Sequence, residues 1–183
     1  MRILILGAGK MGSFFTDLLS FQHDCAVYEI DPKRMRFLYN TQRFTTLDEI
    51  EEFAPELVIN AVTLKYTLSV FEQVIPRLPK ECIISDISSV KTGFHEFYEQ
   101  SGMRYVSTHP MFGPTFANLG DLSSENAIVI KQVNARYDAI GRLVITTCII
   151  WFSLTVQKPN TDAKIPKYSI SLCRFPLRRN TTQ

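Results

Sequence analysis

Long uninterrupted apolar runs are absent from this 183-residue sequence, and their absence argues against a membrane-spanning helix. The longest apolar stretch, residues 143–156, is too short to cross a bilayer and contains Thr146, Thr147 and Ser153. The apolar run at the beginning of the sequence leads into glycines instead of a small-residue cleavage site, so no secretory signal is predicted. We therefore expect a soluble protein without a membrane partner.

The sequence also has few cysteines and no pattern of metal ligands. Its four cysteines (Cys25, Cys82, Cys148 and Cys173) have neither a metal-binding spacing nor the density of a disulfide framework. Such a pattern is typical of reduced thiols in the cytoplasm. Residues 1–150 sum to −3, and such a slightly acidic body does not suggest nucleic-acid binding. The sequence therefore predicts a cytoplasmic protein with no bound metal and no nucleic-acid partner.

The first twelve residues, MRILILGAGKMG, carry the strongest local pattern. An apolar run over residues 2–6 predicts a strand buried on both faces, and apolar residues at helical intervals over 11–19 predict a helix. The glycines between them are spaced G-x-G-x-x-G, which suits a tight turn, close approach of a pyrophosphate and close helix–strand packing. The helix N-terminus would favour the phosphate charge. The dinucleotide-binding residues expected here are Gly7, Gly9, Lys10, Met11 and Gly12.

An acidic residue follows the second predicted strand, residues 25–28. Glu29 lies at about the interval from the glycines at which an acid holds an adenosine ribose, and Asp31 is a second candidate. A carboxylate here would repel a 2′-phosphate and so favours NAD over NADP. Lys33 and Arg34 argue the other way, because basic residues past this strand can bind that phosphate. We favour the alternative that both form the solvated start of a helix, which leaves NADP as the less favoured cofactor.

Strands and helices alternate along the rest of the chain. Further strands are predicted at residues 44–46, 57–62, 82–87, 105–108 and 127–131, and further helices at residues 32–40, 47–53, 65–78, 93–100 and 135–145. Such alternation is typical of an α/β fold with a parallel sheet. The sequence therefore predicts a Rossmann-type, doubly wound, mainly parallel sheet with helices on both faces.

Polar clusters follow three of the predicted strands, at the sheet edge where open α/β folds bind ligands. The first cluster follows LVINAV, and we expect Ala61, Val62, Thr63 and Thr67 to pass near a ribose of the cofactor. The other two clusters occupy residues 86–91 and 107–114. A lone histidine is more often structural than catalytic, but His109 is at a strand end, in a loop whose path prolines and a glycine restrict.

Four segments, GAGKMG, VINAVTLKYT, SDISSVKT and STHPMFGPTFA, together resemble the nucleotide-binding domain of the prephenate and arogenate dehydrogenase family. The similarity covers about residues 1–133, with a weaker continuation to about residue 145. The resemblance implies oxidative decarboxylation of prephenate or arogenate on the route to tyrosine, with hydride passed to NAD or NADP. The S-V-K and H-P-M-F-G-P segments are more specific to this family than the glycines are.

The resemblance also implies roles for individual residues. His109 matches the catalytic histidine of the family, which takes the proton of the substrate's ring hydroxyl as hydride leaves. Ser89 matches the serine that hydrogen-bonds this hydroxyl and helps to orient the histidine. Ser89 could alternatively cap a helix before Val90 and Lys91. Lys91 itself is interpreted as a solvated or phosphate-facing lysine without a catalytic role.

The last part of the sequence departs from the family pattern. Residues 1–150 sum to −3 and are predicted to form the dinucleotide-binding domain, whereas residues 151–183 sum to +5 and lack a helical stripe. We expect residues 151–183 to be an irregular basic tail. Family members are homodimers through a following helical domain that supplies a substrate-binding arginine, and the sequence shows no such domain. The break in pattern near residues 146–151 predicts a frame-shifted or truncated sequence.

Two other functions remain open at this point. One is a different Rossmann oxidoreductase, such as an imine or ketone reductase, although these usually lack the H-P-M-F-G-P segment. The other is a non-enzymatic module that binds or senses a dinucleotide and uses the basic tail to recruit a partner. A small-molecule substrate, prephenate or arogenate, is the partner that the resemblance favours.

Overall fold

A computed structural model describes residues 1–115, 117, 126–132 and 168–174 of the chain. These residues form eight strands: β1 (Arg2–Leu6), β2 (Asp24–Tyr28), β3 (Gln42–Phe44), β4 (Leu57–Asn60), β5 (Ile83–Asp86), β6 (Arg104–Pro110), β7 (Asn126–Gln132) and β8 (Tyr168–Arg174). They also form four α-helices: α1 (Lys10–Leu19), α2 (Leu47–Phe53), α3 (Thr67–Val74) and α4 (Phe94–Ser101).

The strands form one sheet in the order β3-β2-β1-β4-β5-β6-β7-β8. The first six strands are parallel, and β7 and β8 are antiparallel to their neighbours. The chain runs outward from β1 to β3 on one side and then returns to place β4 on the other side of β1. Loops therefore diverge above the carboxyl ends of β1 and β4, which is the switch point where such sheets bind ligands. The predicted Rossmann-type, mainly parallel sheet is confirmed.

The central strands are apolar on both faces because helices cover both. Ile3 and Ile5 of β1 belong to a core that includes Phe14, Phe15 and Leu19 of α1. Leu4 and Leu6 belong to the opposite core, with apolar residues from three helices: Ile50, Phe53, Phe71, Val74, Phe94 and Tyr98. These four side chains of β1 all have 0% exposure. The alternation of strand side chains between faces explains why a continuous apolar run was needed here.

Two predicted helices are shorter in the structure. The helix expected over residues 32–40 is a single 3-10 turn, Pro32–Met35. The main chain leaves helical geometry before Asn40, which has φ 54°, and the Arg43 guanidinium donates a hydrogen bond to the Leu38 carbonyl. The helix expected over residues 65–78 is divided into a 3-10 turn at Leu64–Tyr66, helix α3 and a second 3-10 turn at Ile75–Arg77.

The expectation of an irregular tail is wrong for one segment. Residues 168–174 form strand β8, which pairs antiparallel with β7 along its whole length, from Tyr168↔Gln132 to Arg174↔Asn126. The sequence YSISLCR alternates apolar and polar residues at its start, which is the period of a strand. The predicted helix at 135–145 and the remainder of the tail lie outside the described residues, and the domain boundary at residue 150 stays a prediction.

In the part of the chain that the structure describes, no helix has the length and apolar character needed to cross a membrane.

Candidate functional site

At Gly7 and Gly12, the glycine turn after β1 is too close to its neighbours to admit a side chain. Gly7 has φ +94°, a conformation that L-residues rarely adopt, and its N–H donates to the Tyr28 carbonyl at 2.8 Å. A Cβ on Gly12 would lie 1.9 Å from the Gly7 carbonyl oxygen. Helix α1 therefore packs against the turn at a distance that only glycine allows.

Gly9 differs from the other two glycines because its environment is open. A Cβ built on Gly9 would meet no atom within 4 Å, and this residue is the N-cap of α1 without a side-chain cap. The first N–H groups of a helix have no partner within the helix, so at this N-terminus they are available to an anion. The open space beside Gly9 is the space that a bound phosphate needs.

A cleft of about 470 Å³ lies above the carboxyl ends of β1, β2 and β4. Seven of the residues that the sequence predicted to bind a cofactor line it: Gly7, Gly9, Glu29, Asp31, Ala61, Val62 and Thr63. Four others do not: Gly12 packs on Gly7, Thr67 is fully buried, Met11 packs against the core, and Lys10 is exposed at the start of α1. Arg34 and Tyr66 also line the cleft.

Glu29 is held between the glycine turn and the loop after β2. Its Oε2 atom accepts the Ala8 N–H at 3.0 Å and its Oε1 atom accepts the Asp31 N–H at 3.1 Å. The residue is only 8% exposed. Both carboxylate oxygens are therefore engaged by the backbone.

Asn60 is a structural residue of the site that the sequence analysis missed. It ends β4 and is 1% exposed. Its Nδ2 donates to the Thr67 carbonyl at 2.9 Å and its Oδ1 accepts the Val62 N–H at 3.3 Å. These bonds shape the loop that lines the cleft. A polar residue at the end of a buried apolar strand was the signal that could have identified it.

A buried carboxylate organises the ends of β5 and β6. Asp86 has 0% exposure, and its carboxylate accepts hydrogen bonds from the Lys91 ammonium, from Tyr98 Oη at 2.6 Å and from the Ser88 N–H at 2.9 Å. Lys91 Nζ also donates to the Thr108 carbonyl at 2.7 Å. The Thr108 hydroxyl donates to the Asp86 carbonyl at 2.9 Å. The network therefore ties the residue preceding His109 to the neighbouring strand.

The interpretation of Lys91 as a solvated or phosphate-facing residue is wrong. Its side chain is 21% exposed and is ion-paired with Asp86. Burial lowers the pKa of the Lys91 ammonium, and the Asp86 carboxylate opposes part of that shift. Burial raises the pKa of the Tyr98 phenol far above its ordinary range, and the Asp86 carboxylate adds to the effect. Tyr98 therefore remains a hydrogen-bond donor.

The two predicted catalytic residues lie at the carboxyl ends of two adjacent parallel strands, β5 and β6. Ser89 is exposed in the loop after β5, and it is not a helix cap, because α4 begins at Phe94 with Gly93 as its N-cap. His109 is a half-buried residue of β6, in register with Ile128 of β7. Neither residue lines the 470 Å³ cleft.

The loop after His109 is attached to the first helix. Phe112 packs on Phe14 of α1, with ring centroids 5.6 Å apart. This contact holds the H-P-M-F-G-P segment close to the helix that begins at the glycine turn. The H-P-M-F-G-P segment thus extends from the carboxyl end of β6 to α1, the helix beside the switch point.

The sheet order, the glycine turn and the cleft at the switch point define a Rossmann-type fold. The sequence profile described as "prephenate dehydrogenase, nucleotide-binding domain" matches residues 30–131, more than half of the chain. The chain belongs to the family of prephenate dehydrogenase nucleotide-binding domains, as the sequence motifs indicated.

Three relatives illustrate this similarity. A probable arogenate/prephenate dehydrogenase of Methanocaldococcus jannaschii is 34% identical over 67 residues, which is 35% of this chain and 15% of the relative. Prephenate dehydrogenase of Aquifex aeolicus, crystallised with hydroxyphenyl propionate and NAD+, superposes with a TM-score of 0.69 at 20% identity over 81% of this chain and 56% of that chain. An imine reductase of Myxococcus stipitatus with NADP+ gives a TM-score of 0.56 at 15% identity over 64% of this chain and 43% of that chain. The chain thus spans about half the length of these solved structures.

Proposed function

We propose that this chain is the dinucleotide-binding part of an NAD-dependent dehydrogenase that oxidatively decarboxylates prephenate or arogenate in tyrosine biosynthesis. The observation that carries the proposal is the cleft at the switch point, which seven of the predicted cofactor-binding residues line in a chain of this family. Membership of the family favours this reaction over that of the Myxococcus stipitatus imine reductase, which shares the fold at 15% identity.

Different residues that line the cleft are suited to different parts of a dinucleotide. The open space at Gly9 suits the pyrophosphate, because a side chain there would fill the position of the phosphates. Glu29 and Asp31, at the end of β2, are the proposed acceptors for the adenosine ribose hydroxyls. Ala61, Val62 and Thr63 line the opposite wall. When bound, the nicotinamide ring supplies the hydride acceptor of the reaction.

His109 and Ser89 are the proposed catalytic residues at the end of β5 and β6. We propose that the His109 imidazole takes the proton from the substrate hydroxyl, a general-base role suited to an imidazole. Ser89 would donate a hydrogen bond to the same hydroxyl or orient the imidazole. The Lys91 bond to the Thr108 carbonyl holds the backbone immediately before His109. Loss of the ring carboxylate as carbon dioxide restores aromaticity and favours the products.

Nucleotide binding and turnover test the proposal separately. We expect NAD+ to bind to the purified chain in calorimetric titration, and prephenate or arogenate to cause NADH formation if the substrate site is complete. His109→Ala should reduce turnover by about 10²–10⁴-fold, the usual contribution of a positioned acid or base. Its NAD+ affinity should stay within about threefold of wild type, because His109 does not line the cleft.

The outcomes distinguish the alternatives. An equal loss of NAD+ affinity and turnover in His109→Ala would contradict the assigned role. The chain could also bind NAD+ and yet turn over neither substrate, even when the helical domain of a homologous dehydrogenase is added. That result would favour a binding or sensing module. We also propose that this protein forms a homodimer through a helical domain of that kind.

A further inference from the structure

A second cleft, of about 450 Å³, adjoins the first one and has a different charge. Gly9, Asp31 and Arg34 line both clefts, so they form the wall between them. Lys33 and Arg36 line only the second cleft, which therefore has three cationic side chains and the single carboxylate of Asp31. Such a surface attracts a phosphate group unless the carboxylate opposes it.

The two acidic residues at the end of β2 differ in what their carboxylates contact. Glu29 is 8% exposed, lines only the first cleft and gives both oxygens to backbone N–H groups. The side chain of Asp31 is 50% exposed. One Asp31 oxygen accepts the Lys33 N–H at 3.1 Å, and the other lies 3.9 Å from Arg34 Nε. Asp31 therefore faces the cationic cluster, whereas Glu29 faces the glycine turn.

We propose that Asp31, and not Glu29, is the residue that excludes a ribose 2′-phosphate and so sets the preference for NAD. The inference rests on the proposed dinucleotide function. An adenosine ribose at the end of β2 would direct a 2′-phosphate towards the wall that Asp31 and Arg34 form. There the Asp31 carboxylate repels the phosphate and neutralises Arg34. Without that negative charge, Lys33, Arg34 and Arg36 form a phosphate site.

Glu29 has a different role in this arrangement. Its two backbone hydrogen bonds join Ala8 of the glycine turn to Asp31 of the following loop. It therefore maintains the shape of the site for any dinucleotide. Replacing it should weaken NAD+ and NADP+ together and leave their ratio unchanged.

The test is a calorimetric measurement of NAD+ and NADP+ binding to the wild-type chain, Asp31→Asn and Glu29→Gln. Asn is chosen because its side-chain oxygen can still accept the Lys33 N–H and preserve the turn. In Asp31→Asn we expect NADP+ affinity to gain at least about tenfold relative to NAD+ affinity. The pair 5′-AMP and adenosine 2′,5′-bisphosphate should show the same difference without the nicotinamide half.

The matched control is Glu29→Gln, which has the same size and also removes one negative charge. A change in the NADP+ to NAD+ ratio in Glu29→Gln that exceeds that in Asp31→Asn would overturn the inference. Equal binding of NADP+ and NAD+ by the wild-type chain would overturn it as well, while leaving the proposed function intact. No binding of either dinucleotide to wild type would instead refute the proposed function and, with it, this inference.

A second substitution tests whether the cationic cluster binds the phosphate. Adding Arg34→Gln to Asp31→Asn should remove most of the gain in NADP+ affinity relative to NAD+ affinity. The gain should also decrease with added salt, because exposed charges are screened. Retention of the full gain in the double variant at high salt would contradict the proposed phosphate site.

Discussion

Two regions along the carboxyl edge of the sheet, one at β1 and β2 and the other at β5 and β6, are built in opposite ways. At β1 and β2 the site is an open cleft made by backbone groups, where glycines leave space and the carboxylate of Glu29 accepts backbone N–H groups. At β5 and β6 there is a closed network of side chains around Asp86, which has 0% exposure. The first region is suited to receive a charged ligand, and the second to fix the backbone beside His109.

The two regions therefore depend on different interactions. The cleft depends on the absence of side chains, so adding atoms should damage it. The Asp86 network depends on paired charges away from water, so removing one partner should damage it more than removing both. The following predictions test this distinction, beginning with the largest expected effect.

Substitution of two glycines of the same turn should separate folding from binding. Gly12→Ala places a Cβ 1.9 Å from a backbone oxygen, so we expect at least about 4 kcal/mol loss in the free energy of unfolding, or no folded protein. Gly9→Val meets open space and should change stability by less than about 1 kcal/mol. Urea denaturation measures both. Gly9→Val should nevertheless abolish NAD+ binding, and unchanged NAD+ affinity would refute the role of the glycine turn.

Removal of the buried carboxylate should destabilise the second region. Asp86→Asn leaves the Lys91 ammonium without its counter-charge, and we expect a loss of about 3–5 kcal/mol in the free energy of unfolding. The double variant Asp86→Asn/Lys91→Met should recover part of that loss, because no unpaired charge remains. NAD+ affinity of the folded fraction should change little, since neither residue lines the cleft. Equal stability of the single and double variants would contradict a paired-charge network.

Two buried cysteine thiols, one near each region, can be used to test whether both regions exclude water. Cys25 lies on β2, and Cys82 lies just before β5, with 2% and 1% exposure. Desolvation raises the pKa of Cys25 from 9.0 to about 11 and that of Cys82 from 9.0 to about 12. Above pH 9 the unfolded thiols ionise while the folded ones stay protonated, so ionisation favours the unfolded state. The two thiols should therefore leave the free energy of unfolding unaffected below pH 9.0 and lower it as the pH rises towards 11–12.

Denaturation at several alkaline pH values measures this effect. Each thiol should contribute a slope of up to about 1.4 kcal/mol per pH unit above pH 9, and Cys25→Ala and Cys82→Ala should each reduce the slope. The comparison with the variants removes the contribution of other groups that titrate in the same range. An identical slope in wild type and in both cysteine variants would show that the thiols are not desolvated in the folded protein.

Local sequence patterns predicted most of the sheet. The strands at residues 2–6, 25–28, 57–62, 82–87, 105–108 and 127–131 are all present, with ends that differ by up to about two residues. Continuous apolar runs identify such strands because both faces are buried. The helix at 32–40 was overestimated, since only Pro32–Met35 forms a 3-10 turn and the following Phe37 and Tyr39 are exposed at 66% and 70%.

The site was only partly predictable. The glycine turn could be identified because its function depends on residues that are adjacent in sequence. Lys91 was misinterpreted, because its partners Asp86 and Thr108 come from two different strands, and a single sequence does not reveal which strands are neighbours. The alternative that Ser89 caps a helix was also wrong, because α4 begins only at Phe94, after a glycine with φ +78°.

By itself, the sequence determined the alternation of strands and helices and the glycine turn, because apolar periodicity and steric size act over a few residues. Only the tertiary structure decided the surroundings of the charged residues. Glu29 contacts Ala8 across 21 positions, and Lys91 contacts Thr108 across 17 positions. Parallel strands place such residues side by side, and whether a carboxylate is enclosed or faces a cationic cleft depends on that arrangement.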